Sequence, residues 1–254
     1  TKCSRATPLK GRQSSQLNLA YIILPPFINV KRSSENFIPA NESKWFISIF
    51  DLYVRNLFRR RFKNIAIDQQ YQPVKQSKTI YYLNHTSWWD GLIPFLLNQK
   101  LFKQNARALM EDKQMMQHKF FSKIGAFSVN LSEPRAALKS LRYAVDSMKR
   151  SNSSLFIYPE GKIVPFSTKK PNFQKGLGWI AGRTPESDIV PIGIYIHTAR
   201  HDKPELNLKI GPVVEFNPEH SSEDLNLHFE KNMQQVLIDL QTNAHSNPGQ
   251  FKAI

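Results

Sequence analysis

His85 and Asp90 stand five positions apart in the stretch "YYLNHTSWWDGLIPF", directly after an apolar run. A carboxylate that accepts from one imidazole nitrogen fixes the tautomer and leaves the other nitrogen free to take a proton. That is a general base with its orienting group, suited to activating a hydroxyl. Taken alone, the pair also suits a histidine satisfied by a local turn. A second segment, "FIYPEGKIVPF" at residues 156–166, ends another apolar run in Tyr158, Pro159, Glu160 and Gly161. Glycine tolerates unusual backbone angles, so this turn can be sharp and can project the Glu160 carboxylate from a sheet edge. A third segment, "VPIGI" at 190–194, reads as a strand in which Pro191 predicts an edge position or a local bend.

The surrounding pattern supplies elements to hold these groups. "KTIYYLN" reads as a buried strand and "WWDGLIPFLLNQ" as the start of a helix. "ARALMED" reads as a strand followed by a helical piece near 113–122, and "GAFSVN" as a short strand. "SEPRAALKSLRYAVDSMKRS" predicts a helix with Ser132 as N-cap and Pro134 in the first turn. Its apolar stripe is Ala137, Leu138, Leu141, Ala144, Val145 and Met148. "SSLFIYPEG" and "DIVPIGIYI" predict strands, "ELNLKIGPVVEF" one or two more, and 221–243 a closing amphipathic helix. Strands alternating with helices imply an α/β fold with a largely parallel mixed sheet flanked by helices. Such sheets place functional groups at the carboxyl ends of their strands, where His85 falls. The chain of 254 residues suits a single α/β domain over 43–254, preceded by an N-terminal extension over 1–42. Within that extension, residues 1–15 are polar and basic, and an apolar piece at 17–30 is suited to cap the fold or dip into an interface.

An amphipathic helix is predicted from Ser43 through "SKWFISIFDLYVRNLFRRRF". Phe46, Ile49, Phe50, Tyr53, Val54, Leu57, Phe58 and Phe62 recur at spacings of three and four, while Arg55, Arg59, Arg60, Arg61 and Lys63 lie on the other face and at the end. The periodicity fits a helix packed on a core and equally one lying on an anionic bilayer. Lys plus Arg number 35 against 20 Asp plus Glu, a formal charge of +15, which favours acidic partners: nucleic acid, anionic membrane or phosphate-bearing substrates. Cys3 is the one cysteine, so no intrachain disulfide and no thiolate metal cluster is expected. No stretch supplies the ~18 apolar residues of a membrane span, so any membrane contact is expected to be peripheral. Four N-x-S/T matches, at Asn41, Asn84, Asn130 and Asn152, are read as chance because Asn84 sits inside the histidine motif. His118, His197, His201, His220, His228 and His245 show no metal-ligand spacing.

In chain order, N-H-x-x-x-x-D (84–90), G-x-F-x-V (125–129), P-E-G (159–161) and the V-P-I strand resemble the glycerolipid acyltransferase superfamily, which includes lysophosphatidate and glycerol-3-phosphate acyltransferases. The resemblance spans roughly residues 43–215. It implies an acyltransferase that moves a fatty acyl group from an acyl thioester, acyl-CoA or acyl carrier protein, to a hydroxyl of a lysolipid or related lipophilic acceptor. His85 would be the general base and Asp90 its partner, with no acyl-enzyme, no metal and no cofactor beyond the thioester co-substrate. Glu160 and Gly161 would shape the acceptor pocket, with Lys162 and Arg135 as cations near it. Trp88 and Trp89 either pack against the sheet or line the acyl channel. Phosphate-acceptor members usually continue P-E-G with Thr and Arg, where this chain has Lys162 and Ile163, and commonly carry an arginine where it has Leu131. Lysine cannot copy the two-pronged guanidinium. Arg135, Lys162, Lys169, Lys170 and Lys175 are the available substitutes, and an acceptor without a phosphate stays open. With this chemistry the basic helix is expected to meet an anionic membrane through Arg55, Arg59, Arg60, Arg61 and Phe58, placing the protein peripherally on the cytoplasmic face of a membrane.

Rival readings account for less of the sequence. A nucleic-acid-binding protein would carry a recognition element, and none is found. A serine hydrolase would need a G-x-S-x-G elbow, which the chain lacks. A catalytically inactive, acyltransferase-like lipid-binding protein keeps the same motifs, so it stands as the alternative.

Overall fold

The computed structural model describes residues 37–254. The basic 1–15 and apolar 17–30 segments of the extension lie outside the described residues. Eight strands form one sheet in the order β4-β3-β5-β2-β6-β7-β1-β8. In chain order they are β1 (Asn64–Gln69), β2 (Thr79–Leu83), β3 (Asn105–Glu111), β4 (Ala126–Val129), β5 (Ser153–Ile157), β6 (Asp188–His197), β7 (Glu205–Ile210) and β8 (Lys252–Ala253). The helices are α1 (Lys44–Arg61), α2 (Ile93–Leu97), α3 (Asp112–Gln117), α4 (Pro134–Met148), α5 (Gly176–Ala181) and α6 (Ser222–Ser246). From β4 to β6 the strands run parallel; β7 turns antiparallel to β6 and pairs in parallel with β1. The mixed, largely parallel sheet matches the expected fold class.

β2 shows why the centre forms as it does. All five residues of "TIYYL" are buried, as a strand covered on both faces requires. Tyr81 and Leu83 enter the core beneath α1 and α2, with Phe156, Val190 and Ile192. Ile80 and Tyr82 enter the core beneath α4, α5 and α6, with Leu155, Phe229 and Met233. β2 ends at Leu83 opposite Ile192, but β6 continues to His197 in partnership with β7. The longer strand therefore forms a wall beyond the point where His85 emerges.

Pro191 lies inside the sheet, pairing with Tyr82, and not at an edge. Its carbonyl accepts from Gly211 N–H at 2.9 Å, just past the end of β7. The nitrogen of a strand residue faces the same side as its carbonyl, so the missing N–H falls where the β7 ladder has stopped and costs no ladder bond.

Helix α1 begins where expected: Ser43 caps it by accepting from Phe46 N–H. Its single predicted stripe divides in two. Of the stripe, Phe50, Val54, Phe58 and the following Phe62 are buried, whereas Ile49 and Tyr53 are exposed on a face shared with Trp45 and Leu52, which are not part of it. Phe58 is 1% exposed and stacks on Phe62 and Trp89, so its expected membrane contact is corrected: it belongs to the core. In α4, Pro134 occupies the first turn as predicted, but Glu133 stands at the N-cap position. Ser132 instead donates from its N–H and hydroxyl to Asn130 Oδ1, a side-chain turn that competes with capping.

Candidate active site

The chain leaves β2 through Asn84, whose amide is buried and makes two bonds to β6: Nδ2 donates to Ile194 O at 3.0 Å, and Ile194 N–H donates to Oδ1 at 2.7 Å. This double bond replaces a ladder rung and fixes the next residue, His85. Residues 85–92 then wind into a turn of 3₁₀ helix, Trp88–Leu92, that carries Asp90 back under the imidazole.

Asp90 is fully buried, and its donors are local. Oδ2 accepts from His85 Nδ1 at 3.0 Å, from Ser87 N–H at 2.8 Å and from Thr86 N–H. Oδ1 accepts from Ser87 Oγ at 2.7 Å. Because an ionised carboxylate only accepts, His85 donates from Nδ1 and its Nε2 carries the lone pair. Nε2 has no hydrogen-bond partner among the described residues, and the side chain is 21% exposed. The arrangement leaves one ring nitrogen able to accept a proton, the chemistry a general base requires.

The P-E-G turn grips His85 by its main chain. Glu160 Oε2 accepts from His85 N–H at 3.1 Å, and His85 O accepts from Val164 N–H at 2.8 Å. Gly161 makes this possible at φ +68°, a left-handed conformation costly for other residues. Tyr158 adds a third hold: its ring lies 4.6 Å from the imidazole centroid and its hydroxyl donates to Asp90 O. Burial raises the Glu160 carboxyl above its ordinary range, with the His85 N–H and Lys162 acting in the opposite direction. Burial likewise raises the Tyr158 phenol well above its usual range, and nearby Asp90 adds to the rise, so the hydroxyl stays a donor.

Of the residues expected at the site, His85, Asp90, Glu160 and Gly161 are brought together. Lys162 is exposed on the same turn. Trp89 packs edge-on against Phe58 and Phe62, and Trp88 is 56% exposed beside it. Arg135 is not drawn to His85; it lies at the start of α4. Lys170 pairs with the buried Glu230 and Lys175 with the exposed Glu223, at 2.7 Å each. Arg55 pairs with Asp51, while Arg59, Arg60 and Arg61 are exposed in the last turn of α1.

Four contributors went unrecognised in the sequence: Thr86, Ser87, Asn84 and Tyr158. The Thr86 and Ser87 donors have a legible signal, since Ser87-x-x-Asp90 has the spacing of a capping box. Asn84 and Tyr158 have none, because their partners are long-range contacts that only the folded sheet creates.

Comparisons with known proteins bear on the family and the fold. The family model described as Acyltransferase matches residues 64–196. No curated protein sequence matches the chain. Among solved structures, the crystal structure of the 1-acyl-sn-glycerophosphate (LPA) acyltransferase PlsC from Thermotoga maritima is similar at TM-score 0.56 and 19% identity, covering 78% of this chain and 81% of that one. The single α/β domain with its mixed sheet and flanking helices is the fold of that enzyme, and the chain belongs to the acyltransferase family.

Proposed function

We propose that this acyltransferase moves a fatty acyl group from an acyl thioester to a hydroxyl of a lysolipid or related lipophilic acceptor, with His85 as general base. The observation that carries the reading is the Nδ1–Asp90 bond of 3.0 Å combined with an Nε2 left without a partner among the described residues. The acceptor hydroxyl gives its proton to Nε2 as its oxygen attacks the thioester carbonyl. The tetrahedral intermediate then expels the thiolate as the C–S bond breaks, and the imidazolium returns the proton to sulfur. Asp90 stabilises the imidazolium between the two transfers. General-base assistance of this kind contributes about 10²–10⁴-fold. The thioester is acyl-CoA or an acylated carrier protein. Leu131 and Ile163 are half exposed beside the P-E-G turn, with Lys162 the exposed cation on it. That apolar rim favours an acceptor whose head group lacks a phosphate.

The lipophilic acceptor fits a peripheral place on a membrane. Among the described residues no helix is long and apolar enough to cross a bilayer. The outward face of α1 carries Trp45 (73% exposed), Leu52 (73%), Ile49 (51%) and Tyr53 (43%), flanked by Arg55, Arg59 and Arg60. Large apolar side chains among cations are the composition of a helix lying in an interface. The same helix packs Phe58 and Phe62 on Trp89, next in sequence to Asp90.

The test is thiol release from palmitoyl-CoA and from palmitoyl carrier protein, with wild type and His85→Ala, across lysolipids with and without phosphate. Acceptor-dependent release that requires His85 supports the reading; silence with every donor and acceptor replaces it with a lipid-binding protein. For the surface, Arg59→Gln with Arg60→Gln is expected to weaken binding to anionic vesicles by ~30-fold, at ~1 kcal/mol per cation. Unchanged vesicle binding would return α1 to a purely structural role.

A further inference from the structure

The base, its carboxylate and the P-E-G turn leave unused a groove of about 430 Å³ on the outer side of α4. Arg135, Lys139 and Arg142 lie along it at spacings of four and three, so they share one helix face over ~10 Å. All three are exposed, and none pairs with a carboxylate among the described residues. The one acidic residue of the groove, Asp146, is held by Lys149 at 2.7 Å. The floor is aromatic: Phe37 and Tyr143 meet edge-on at 5.1 Å, and Lys139 Nζ stands 5.6 Å from the Phe37 ring. The groove is therefore a row of unneutralised cations beside two partly buried rings, one of which, Phe37, is covered by Lys139.

We propose that this groove binds the phosphorylated adenosine end of a coenzyme A thioester, the phosphates along Arg135, Lys139 and Arg142 and the base at the rim of Phe37 and Tyr143. A single phosphate would occupy one or two of these cations, whereas a row of three over ~10 Å matches a ligand with phosphates at separate points. A carrier-protein helix brings carboxylates but no planar ring to fill a concavity. Position agrees as well. β4 leads into α4 at the carboxyl edge of the sheet, the edge from which His85 projects, and lies three strand spacings, ~14 Å, from β2. Leu131, four residues before Arg135, comes within 3.4 Å of the point where a Cβ on Gly161 would sit. In this proposal the pantetheine arm runs from the groove past Leu131 and Gly161 toward His85. Choosing coenzyme A as the source of the nucleotide rests on the acyltransferase reading; the nucleotide-binding chemistry of the groove does not.

Binding of adenosine 3′,5′-bisphosphate to the full chain is measured by titration calorimetry for wild type and for Lys139→Gln with Arg142→Gln, with inorganic phosphate as comparison. Both substituted side chains are exposed, so the fold is retained. The bisphosphate is expected to bind wild type more tightly than phosphate does, and the double variant at least about tenfold more weakly. The kcat/KM for palmitoyl-CoA, divided by that for palmitoyl-pantetheine, is expected to fall by a similar factor. Equal bisphosphate binding by both proteins, none by either, or phosphate bound as well as the nucleotide would overturn the proposal. So would a loss confined to acyl carrier protein, which would make the groove a carrier-docking surface. If no thioester supports transfer, the acyltransferase reading fails, yet the nucleotide titration still decides the groove.

Discussion

Two histidines stand beside carboxylates at the carboxyl edge of neighbouring strands, His85 after β2 and His197 at the end of β6, and they differ in what surrounds them. His85 meets Asp90 at 3.0 Å, and Asp90 takes its other donors from the same short turn. No cation competes for that carboxylate among the described residues, and Nε2 is left open. His197 stands 3.9 Å from Glu205, but Glu205 is bonded by Arg200 at 3.0 Å. The Nε2 of His197 meets the Asn207 amide at 2.8 Å, and the Ala199 N–H points at Nδ1. Both ring nitrogens of His197 are thus occupied, in a side chain 6% exposed against 21% for His85. Nearness to a carboxylate is shared by a histidine whose two nitrogens are both occupied and by the proposed base. The open second nitrogen separates them.

The sharpest break of this comparison is to delete each ring. His85→Ala is expected to lower acyl transfer by about 10²–10⁴-fold with little change in thermal unfolding. His197→Ala is expected to keep transfer within severalfold while losing about 1–3 kcal/mol of stability, because the buried Asn207 amide is left unpaired. Both are read by thiol release and urea denaturation. Transfer that depends on His197 and not on His85 would invert the assignment.

Asp90→Asn sharpens the same point with a smaller effect. The asparagine oxygen can occupy the Oδ2 place and keep the Thr86, Ser87 and His85 donors, while the Ser87 hydroxyl turns to accept from the new amide. The geometry survives and the charge that stabilises the imidazolium is lost. Transfer is expected to fall at least about tenfold with near-native unfolding. Asp90→Ala, which strands buried N–H groups, should also unfold more readily. Equal stability of the two variants would show that the turn holds itself without the carboxylate.

Much of this site was legible because it is built from short-range pattern. N-H-x-x-x-x-D places base and partner within one turn, and P-E-G marks the end of the adjacent parallel strand, so sheet topology brings the two together. What could not be read was set by distance in sequence or by partial burial. Asn84 is bonded to a strand 110 residues on, Pro191 escapes cost only because β7 ends beside it, and Phe58, expected at a membrane, is buried in the core. An aromatic stripe with a 3.6-residue period does not say which of its sides faces the sheet. In α1 the buried edge runs through Phe50, Val54 and Phe58 and the exposed one through Trp45, Ile49 and Leu52. Those six residues are alike in sequence and divided only by packing.

Tyr158 tests how tightly the His85 turn must be held. Tyr158→Phe keeps the ring 4.6 Å from the imidazole and removes only the hydroxyl that donates to Asp90 O. One such bond is worth ~1 kcal/mol, so kcat is expected to fall ~5-fold with KM unchanged. A fall in thermal stability with kcat intact would make Tyr158 a fold contact and remove it from the positioning of the base.

The smallest effects lie in pH dependence, where the two regions should act with opposite sign. Burial raises the folded-state pKa of Glu160 above the ordinary 4.5. The folded carboxyl holds its proton more firmly than the unfolded chain does, so its contribution to stability is complete below about 4.5 and is lost as pH rises through the folded value. Burial depresses His197 below the ordinary 6.5, aided by His245 and Arg200 and opposed by Glu205. Its contribution is complete above 6.5 and is lost as pH falls through the folded value. Glu160→Gln keeps an oxygen to accept the His85 N–H, so relative to wild type it should gain stability as pH rises above the carboxylate range. His197→Asn should lose less stability than wild type as pH falls below neutrality. Urea unfolding across this range would show the two difference curves sloping in the same direction if the two groups were perturbed alike, and a flat curve for Glu160→Gln would mean that its carboxyl is as well solvated as in the unfolded chain. In that case the grip on the His85 main chain would rest on Val164 N–H and Asn84, with Glu160 free to meet the acceptor.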